Sequence, residues 1–344
     1  MKNPLLILAG IACSCIAIPI LLSLNFDKDS SDDNQRIKIT IGERIETNNA
    51  SNYETIDLEA PIVKVYNHKK GAVESKNIET YLYGVLSGEM SAKFDIEALK
   101  AQAIAARTFV MYKKENPSSS GHNTSVVCTD YTHCQEYKSY EELKETNGVK
   151  WINQYYDKIK QAVDETKGQI LTYNNKPILP LYFSTSSGKT ENSEEVFSSK
   201  YTYLQSVESP YDDESPKYTS QVTVSKLKFI NTINSSYSGT NLTLNNLEKE
   251  VKIISNSTGG SVDKIKIGKK QFTGINIRSL FNLNSANFEI DFEKDNVVFN
   301  VKGYGHGVGM SQTGADTMAK QGSNYEDIIK HFYKDVEIKN MNEI

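Results

Sequence analysis

Several groups of side chains in this 344-residue sequence have types and spacings that could do chemistry. Glu89 stands in "SGEMSAKF", after a glycine that lets the backbone turn and near apolar Met90 and Phe94. A carboxyl group deprived of water there holds its proton closer to neutrality, and such an acid can protonate a glycosidic oxygen. No second carboxylate stands out as its partner, although ordinary glycosidases use two. An arbitrary glutamate, by contrast, is usually a solvated surface group. Lys100 and Arg107 lie two helical turns apart and share a face. Solvent is the ordinary destination of such cations, but Arg107 follows a small apolar run, 103–106, and could reach an anion or order a loop. "GYGHGVGMSQTGA" has five glycines in thirteen residues, which allow a close backbone approach to a ligand, with His306 in their midst.

A further cluster is "GHNTSVVCTDYTHC", residues 121–134. His122, Cys128, His133 and Cys134 offer two imidazoles and two thiolates, a tetrahedral zinc set. The spacing is not that of a standard finger, and the adjacent ligands 133 and 134 require a bent loop. Four protein ligands make such an ion structural, since catalytic zinc keeps a position open. A Cys128–Cys134 disulfide is the rival reading; it would close a short loop and contribute about 2 kcal/mol on the chain-entropy model. Free thiols are the third.

The compartment bears on that choice, and the N-terminus supplies it. Residues 4–24 carry no charge, follow Lys2, and precede "DKDSSDD". That length spans a bilayer core, and the flanking charges keep the short end in the cytoplasm. A cleaved signal peptide has a shorter apolar core and a better cleavage site, and the letters before Cys13 and Cys15 make a weak lipidation signal. The sequence therefore predicts a cytoplasmic tip at 1–3, a single-pass anchor at 4–24, a polar tether at 25–55 and an exported region, where a disulfide is chemically possible.

Over the whole chain 38% hydrophobic and 24% charged residues allow an ordinary globular core. The net charge of −4, with no basic stripe, argues against duplex nucleic acid as a partner. Twenty tyrosines suit sugar stacking, although strand propensity accounts for them as well. The tether carries one alternating stretch, 36–42, read as a short strand. Asn77 caps a helix leading to Glu89, and Asp95 caps a second over 96–114, with one buried face at Ile96, Leu99, Ala103, Ala106 and Val110. A helix ending at Gly168 and a hairpin around Asn174-Asn175 follow. Ser311 caps one late helix, and Ser323 with Glu326 forms a capping box for the last. The fold class is α+β, with helices and antiparallel strands. The core comprises 56–218 and 295–344, and a smaller α+β domain is inserted at 219–294.

Three segments, "YLYGVLSGEMSAKFDIEALKAQAIAARTF", "YFSTSSGKTENSEEVF" and "GYGHGVGMSQTGA", resemble in order the stage II sporulation protein D family, membrane-anchored lytic transglycosylases of engulfment in endospore formers. The likeness covers roughly 60–220 and 295–340; 225–290 match in layout more than in letters. It implies Glu89 as catalytic acid/base. Lys100 and Arg107 would line or support the cleft, and Tyr182, Ser184, Ser186, His306 and Gln312 would serve the substrate. The family often has proline after "GEM", where this chain has Ser91, which loosens the loop and leaves the acid in place. The resemblance also implies peptidoglycan glycan strands as substrate, and as partners an amidase (stage II sporulation protein P) and an integral membrane protein (stage II sporulation protein M), at the septal membrane between mother cell and forespore. Two other readings compete: a glycan-binding scaffold, and a zinc amidase or peptidase built on 122–134.

Overall fold

The computed structural model describes residues 60–117, 124–197, 199–209 and 212–344. The expected anchor, the tether with its short strand, and His122 lie outside the described residues. Among the described residues no helix is long and apolar enough to cross a membrane.

The first hairpin, β1 (Ile62–Asn67) and β2 (Ala72–Asn77), leads into α1 (Ile78–Glu89), whose first amides are accepted by the Asn77 side chain. The Asp95 side chain accepts the Glu97 amide and starts α2 (Ile96–Glu115). This helix departs from the one-faced expectation: residues 101–110 are buried on every side. Its alanines project nothing beyond Cβ, so neighbouring elements close in all round, and a helix apolar all round belongs inside. β3 (Val127–Cys128) pairs in parallel with β1 and returns the cysteine loop to the first hairpin.

A Ser139/Glu142 capping box opens α3 (Tyr140–Trp151), which passes through a π-helical turn, Ile152–Tyr156, into α4 (Asp157–Asp164). β4 (Gln169–Tyr173) and β5 (Lys176–Pro177) form the predicted hairpin, with Asn174 and Asn175 at φ 50° and 61°. Asparagine tolerates that left-handed turn better than most residues. β6 (Tyr182–Phe183) and the short α5 (Ser193–Phe197) frame the polar segment between them.

A second hydrophobic core begins at β7 (Thr219–Ser225). It continues through α6 (Lys226–Ser236), α7 (Leu247–Glu250), β8 (Val251–Asn256), β9 (Val262–Ile267), β10 (Lys270–Phe272) and α8 (Gly274–Phe281). It closes with β11 (Phe288–Phe292) and β12 (Asn296–Lys302). Phe229, Phe281 and Phe299 meet at its centre, with ring centroids 5.0–6.1 Å apart. β12 pairs with β7 along its whole length and contributes Val297, Phe299 and Val301 to this core, so the lobe runs past 294 to 302.

The chain then rejoins the first core. β13 (Met310–Ser311) lies parallel to β6, α9 (Gln312–Lys320) starts on Ser311, and β14 (Glu337–Asn340) pairs with β4. The cap of α10 (Tyr325–Phe332) is Asn324, whose side chain accepts the Asp327 amide, in place of the expected Ser323. The fold is α+β as expected, with two short parallel pairings, β1–β3 and β6–β13, added to antiparallel sheets. Both cores fall within one compact unit.

Candidate active site and cysteine cluster

Glu89 is the last residue of α1, half-buried, and its Oε1 accepts the amide of Glu136 at 2.6 Å. Loss of water raises its pKa to about 7. The Glu136 amide and the Tyr182 hydroxyl oppose that rise, and the charge of Glu136 adds to it. The carboxyl group therefore sits in balance, with burial favouring the acid and the Glu136 amide, aided by the nearby Tyr182 hydroxyl, favouring the anion. Glu136 is a neighbouring carboxylate that the sequence had not indicated; its own charge is tied to Lys138 at 3.2 Å.

Two buried side chains beside Glu89 also escaped the sequence reading. Gln135 is 1% exposed; its Oε1 accepts the Tyr182 hydroxyl at 2.9 Å and its Nε2 has no partner. Tyr81 is wholly buried and stacks on Tyr137 at 5.5 Å, with its hydroxyl also unpartnered. Burial pushes the Tyr81 phenol up, helped by Cys134, Cys128 and Glu89 nearby. Buried polar atoms without protein partners are rare in native proteins. A signal existed only for Gln135, by its place directly after the cysteine cluster. Lys158 holds the loop after Glu89 by donating to the carbonyls of Ala92 and Phe94.

The cations on α2 do not join this site. Arg107 is fully buried, in a forked ion pair with Glu79, and also donates to the carbonyls of Val163 and Gln169. It presents nothing to a substrate; of the two roles the resemblance allows, lining or supporting the cleft, its contacts fit the second, joining α1, α2, α4 and β4. Lys100 is bound at 2.7 Å by both Glu97 and Glu165.

The second and third motifs do come together, through the β6–β13 pairing. Tyr182 sits opposite Met310, the Ser184 carbonyl accepts the Thr313 amide at 3.0 Å, and the Ser186 amide donates to Asp212 Oδ1 and Ser311 Oγ. Ser186 is buried and serves this joint, whereas Ser184 is half-buried. Gln312 is buried, 3.5 Å from Gln102 Oε1. His306 Nδ1 accepts the Val308 amide at 3.1 Å, which places the proton on Nε2, toward the Tyr182 backbone. Burial, with Arg278 nearby, lowers its pKa to about 4, so the ring is neutral. Through Nδ1, His306 secures the glycine-rich loop.

Cys128, His133 and Cys134 bring three ligand atoms within 4.8 Å of one another. The two thiols are not joined. His133 Nδ1 lies 3.5 Å from Cys128 Sγ and 3.4 Å from Cys134 Sγ. Zinc at about 2.3 Å from sulfur and about 2.0 Å from nitrogen gives tetrahedral S···N edges of about 3.5 Å. The donor set fits zinc. Glu136, which holds Glu89, follows Cys134 by two residues.

Comparison with known proteins identifies the family. Residues 66–173 match a family model described as stage II sporulation protein. The chain is 35% identical to stage II sporulation protein D of Bacillus subtilis, over 98% of this chain and 96% of that protein. It is 37% identical to the protein of the same name from Bacillus amyloliquefaciens, with the same coverage. An amidase enhancer of Bacillus subtilis is 30% identical over 73% of this chain and 39% of that protein.

Proposed function

Since the chain belongs to the stage II sporulation protein D family, we propose that it is a peptidoglycan lytic transglycosylase acting during sporulation, with Glu89 as its acid/base. The observation that carries this reading is Glu89 itself: a half-buried carboxyl group, pKa about 7, held by the Glu136 amide with the Tyr182 hydroxyl close by. Protonated, it donates to the oxygen between N-acetylmuramic acid and N-acetylglucosamine. That bond breaks, and the C6 hydroxyl of the same muramic residue attacks C1. Glu89, now the carboxylate, takes the C6 hydroxyl proton, which closes a 1,6-anhydro ring and restores the acid. The Glu136 amide stabilises the anionic half of the cycle, and burial stabilises the acidic half. An acid/base works best with a pKa near the working pH.

Cys128, His133 and Cys134, with His122 as a fourth ligand, would hold zinc as a structural ion. It would fix the loop that delivers Gln135 and the Glu136 amide to Glu89. Residues 4–24 would anchor the chain in the membrane with residues 25–344 outside, acting on glycan stripped of stem peptides. The amidase and integral membrane partner named by the resemblance would work beside it. The likeness to an amidase enhancer favours a second reading, in which the chain holds glycan while another enzyme cuts. A Glu89→Gln variant on stem-peptide-free glycan, with products read by mass spectrometry, separates the two. Anhydro-muramic ends are expected to fall by about 10²–10⁴-fold. Binding without anhydro ends in the unaltered protein would favour the scaffold.

A further inference from the structure

Arg107 and Arg278 are treated oppositely by this fold. Arg107 has a carboxylate and two carbonyls. Arg278, on α8, is half-buried and gives a single hydrogen bond, Nε to the Leu283 carbonyl at 3.3 Å, with no carboxylate paired to it among the described residues. It lines a cavity of ≈ 220 Å³ between the two lobes, together with Phe197, Asp263, Thr273, Glu195 and His306. The acids there are hydrogen-bonded to other groups and keep their charge. Glu195 accepts from Thr258 and Asn192, and Asp263 accepts from Ser255. His306 carries no charge, and its ring meets Phe197 edge-on at 5.3 Å. Phe197 is 44% exposed at the same cavity, an aromatic face open to a ring.

We propose that this cavity is a sugar subsite in which Arg278 takes a carboxylate borne by the sugar, which in a wall glycan is the lactyl group of a muramic residue. The proposal rests on the glycan reading above. A guanidinium presents a planar fork that matches a carboxylate, and this one is half-buried with no carboxylate paired to it among the described residues. Phe197 would stack on the sugar ring. In wall glycan the lactyl carboxylate is free only when no stem peptide is joined to it, so the subsite would prefer stripped strands. Tyr182 links the subsite to the catalytic residue: its backbone meets His306 while its hydroxyl lies beside Gln135 and Glu89.

The test measures binding in the Glu89→Gln background, so that the ligand survives. The probes are stem-peptide-free glycan oligosaccharides, the same oligosaccharides with methyl-esterified lactyl groups, and N-acetylglucosamine oligomers. Esterification is expected to weaken binding about tenfold, and Arg278→Gln to weaken the acid form alike, as loss of a charge-assisted pair implies. The variant should leave the ester and the N-acetylglucosamine oligomers unaffected. Equal binding of acid and ester, or equal losses for all three probes in Arg278→Gln, overturns the subsite. The acid–ester comparison needs no change at Arg278 and decides the matter if that variant does not fold. Glycan bound and cleaved without regard to the carboxylate defeats this inference alone. Neither binding nor cleavage by the unaltered protein defeats the glycan reading and this inference with it.

Discussion

At the scale of the residue, Glu89 carries a conflict between stability and use. Its pKa of about 7 lies above the ordinary 4.5, so the folded protein holds a proton that the unfolded chain gives up. The contribution of that proton is fully present below pH 4.5 and is lost as pH rises through about 7. At pH 8 the buried carboxylate therefore works against the fold. Glutamine keeps an oxygen for the Glu136 amide and carries no charge. Glu89→Gln should stabilise the protein by about 1–3 kcal/mol at pH 8, with the gain vanishing below pH 5. Thermal melts of the two proteins across that range check it; a gain independent of pH would mean that the raised pKa is not its source. The same titration should appear in catalysis. The proposed cleavage needs the acid first, so its rate should fall as pH passes upward through about 7.

At the scale of the element, the cysteine loop is the piece on which the site's geometry rests. Its parallel pairing with β1 fixes one end, the Cys128–His133–Cys134 cluster fixes the bend, and the next residues are Gln135 and Glu136. If the proposed zinc site is real, Cys128→Ser, which removes one of its ligand atoms, should lower zinc content and melting temperature and slow the proposed cleavage, because the Glu136 amide loses its station. Metal analysis of the purified protein with thiol titration reads this directly; no zinc and no reactive thiol in the unaltered protein would rule out the metal. Much of this was legible beforehand. The caps at Asn77, Asp95 and Ser311, the Asn174-Asn175 turn and the three motifs are local signals, and local hydrogen bonding makes them reliable. What could not be read depends on what packs where. The alanines of α2 allow burial on every side, but only tertiary neighbours decide that it happens, and Arg107 becomes a buried support for the same reason. Glu136 and Gln135 are ordinary polar letters until the loop folds back on α1, and Arg278 is one cation among apolar neighbours in "INIRSLF".

For the whole molecule, the question is what holds two hydrophobic cores as one unit. Glu191 is 1% exposed and belongs to both sides of the seam. Its amide donates to the Gly307 carbonyl at 2.7 Å, in the glycine-rich loop, while its carboxylate accepts the amides of Gly259 and Ser261 at 3.1 and 3.0 Å, in the turn between β8 and β9. The fit leaves no slack: a Cβ on Gly259 would lie 2.5 Å from Glu191 Cδ. Glu191→Ala would strand the Gly259 and Ser261 amides, at about 1–3 kcal/mol for each that stays buried. Neither core loses an apolar contact, so each lobe should remain folded while the seam loosens. Hydrogen exchange should quicken across 257–262 and leave α2 protected. The cavity at Arg278 draws walls from both lobes, so its affinity should drop, whereas the pH profile set by Glu89 should keep its midpoint. Uniformly faster exchange would show that Glu191 supports the cores themselves, and unchanged exchange in the turn would show that the seam is held elsewhere.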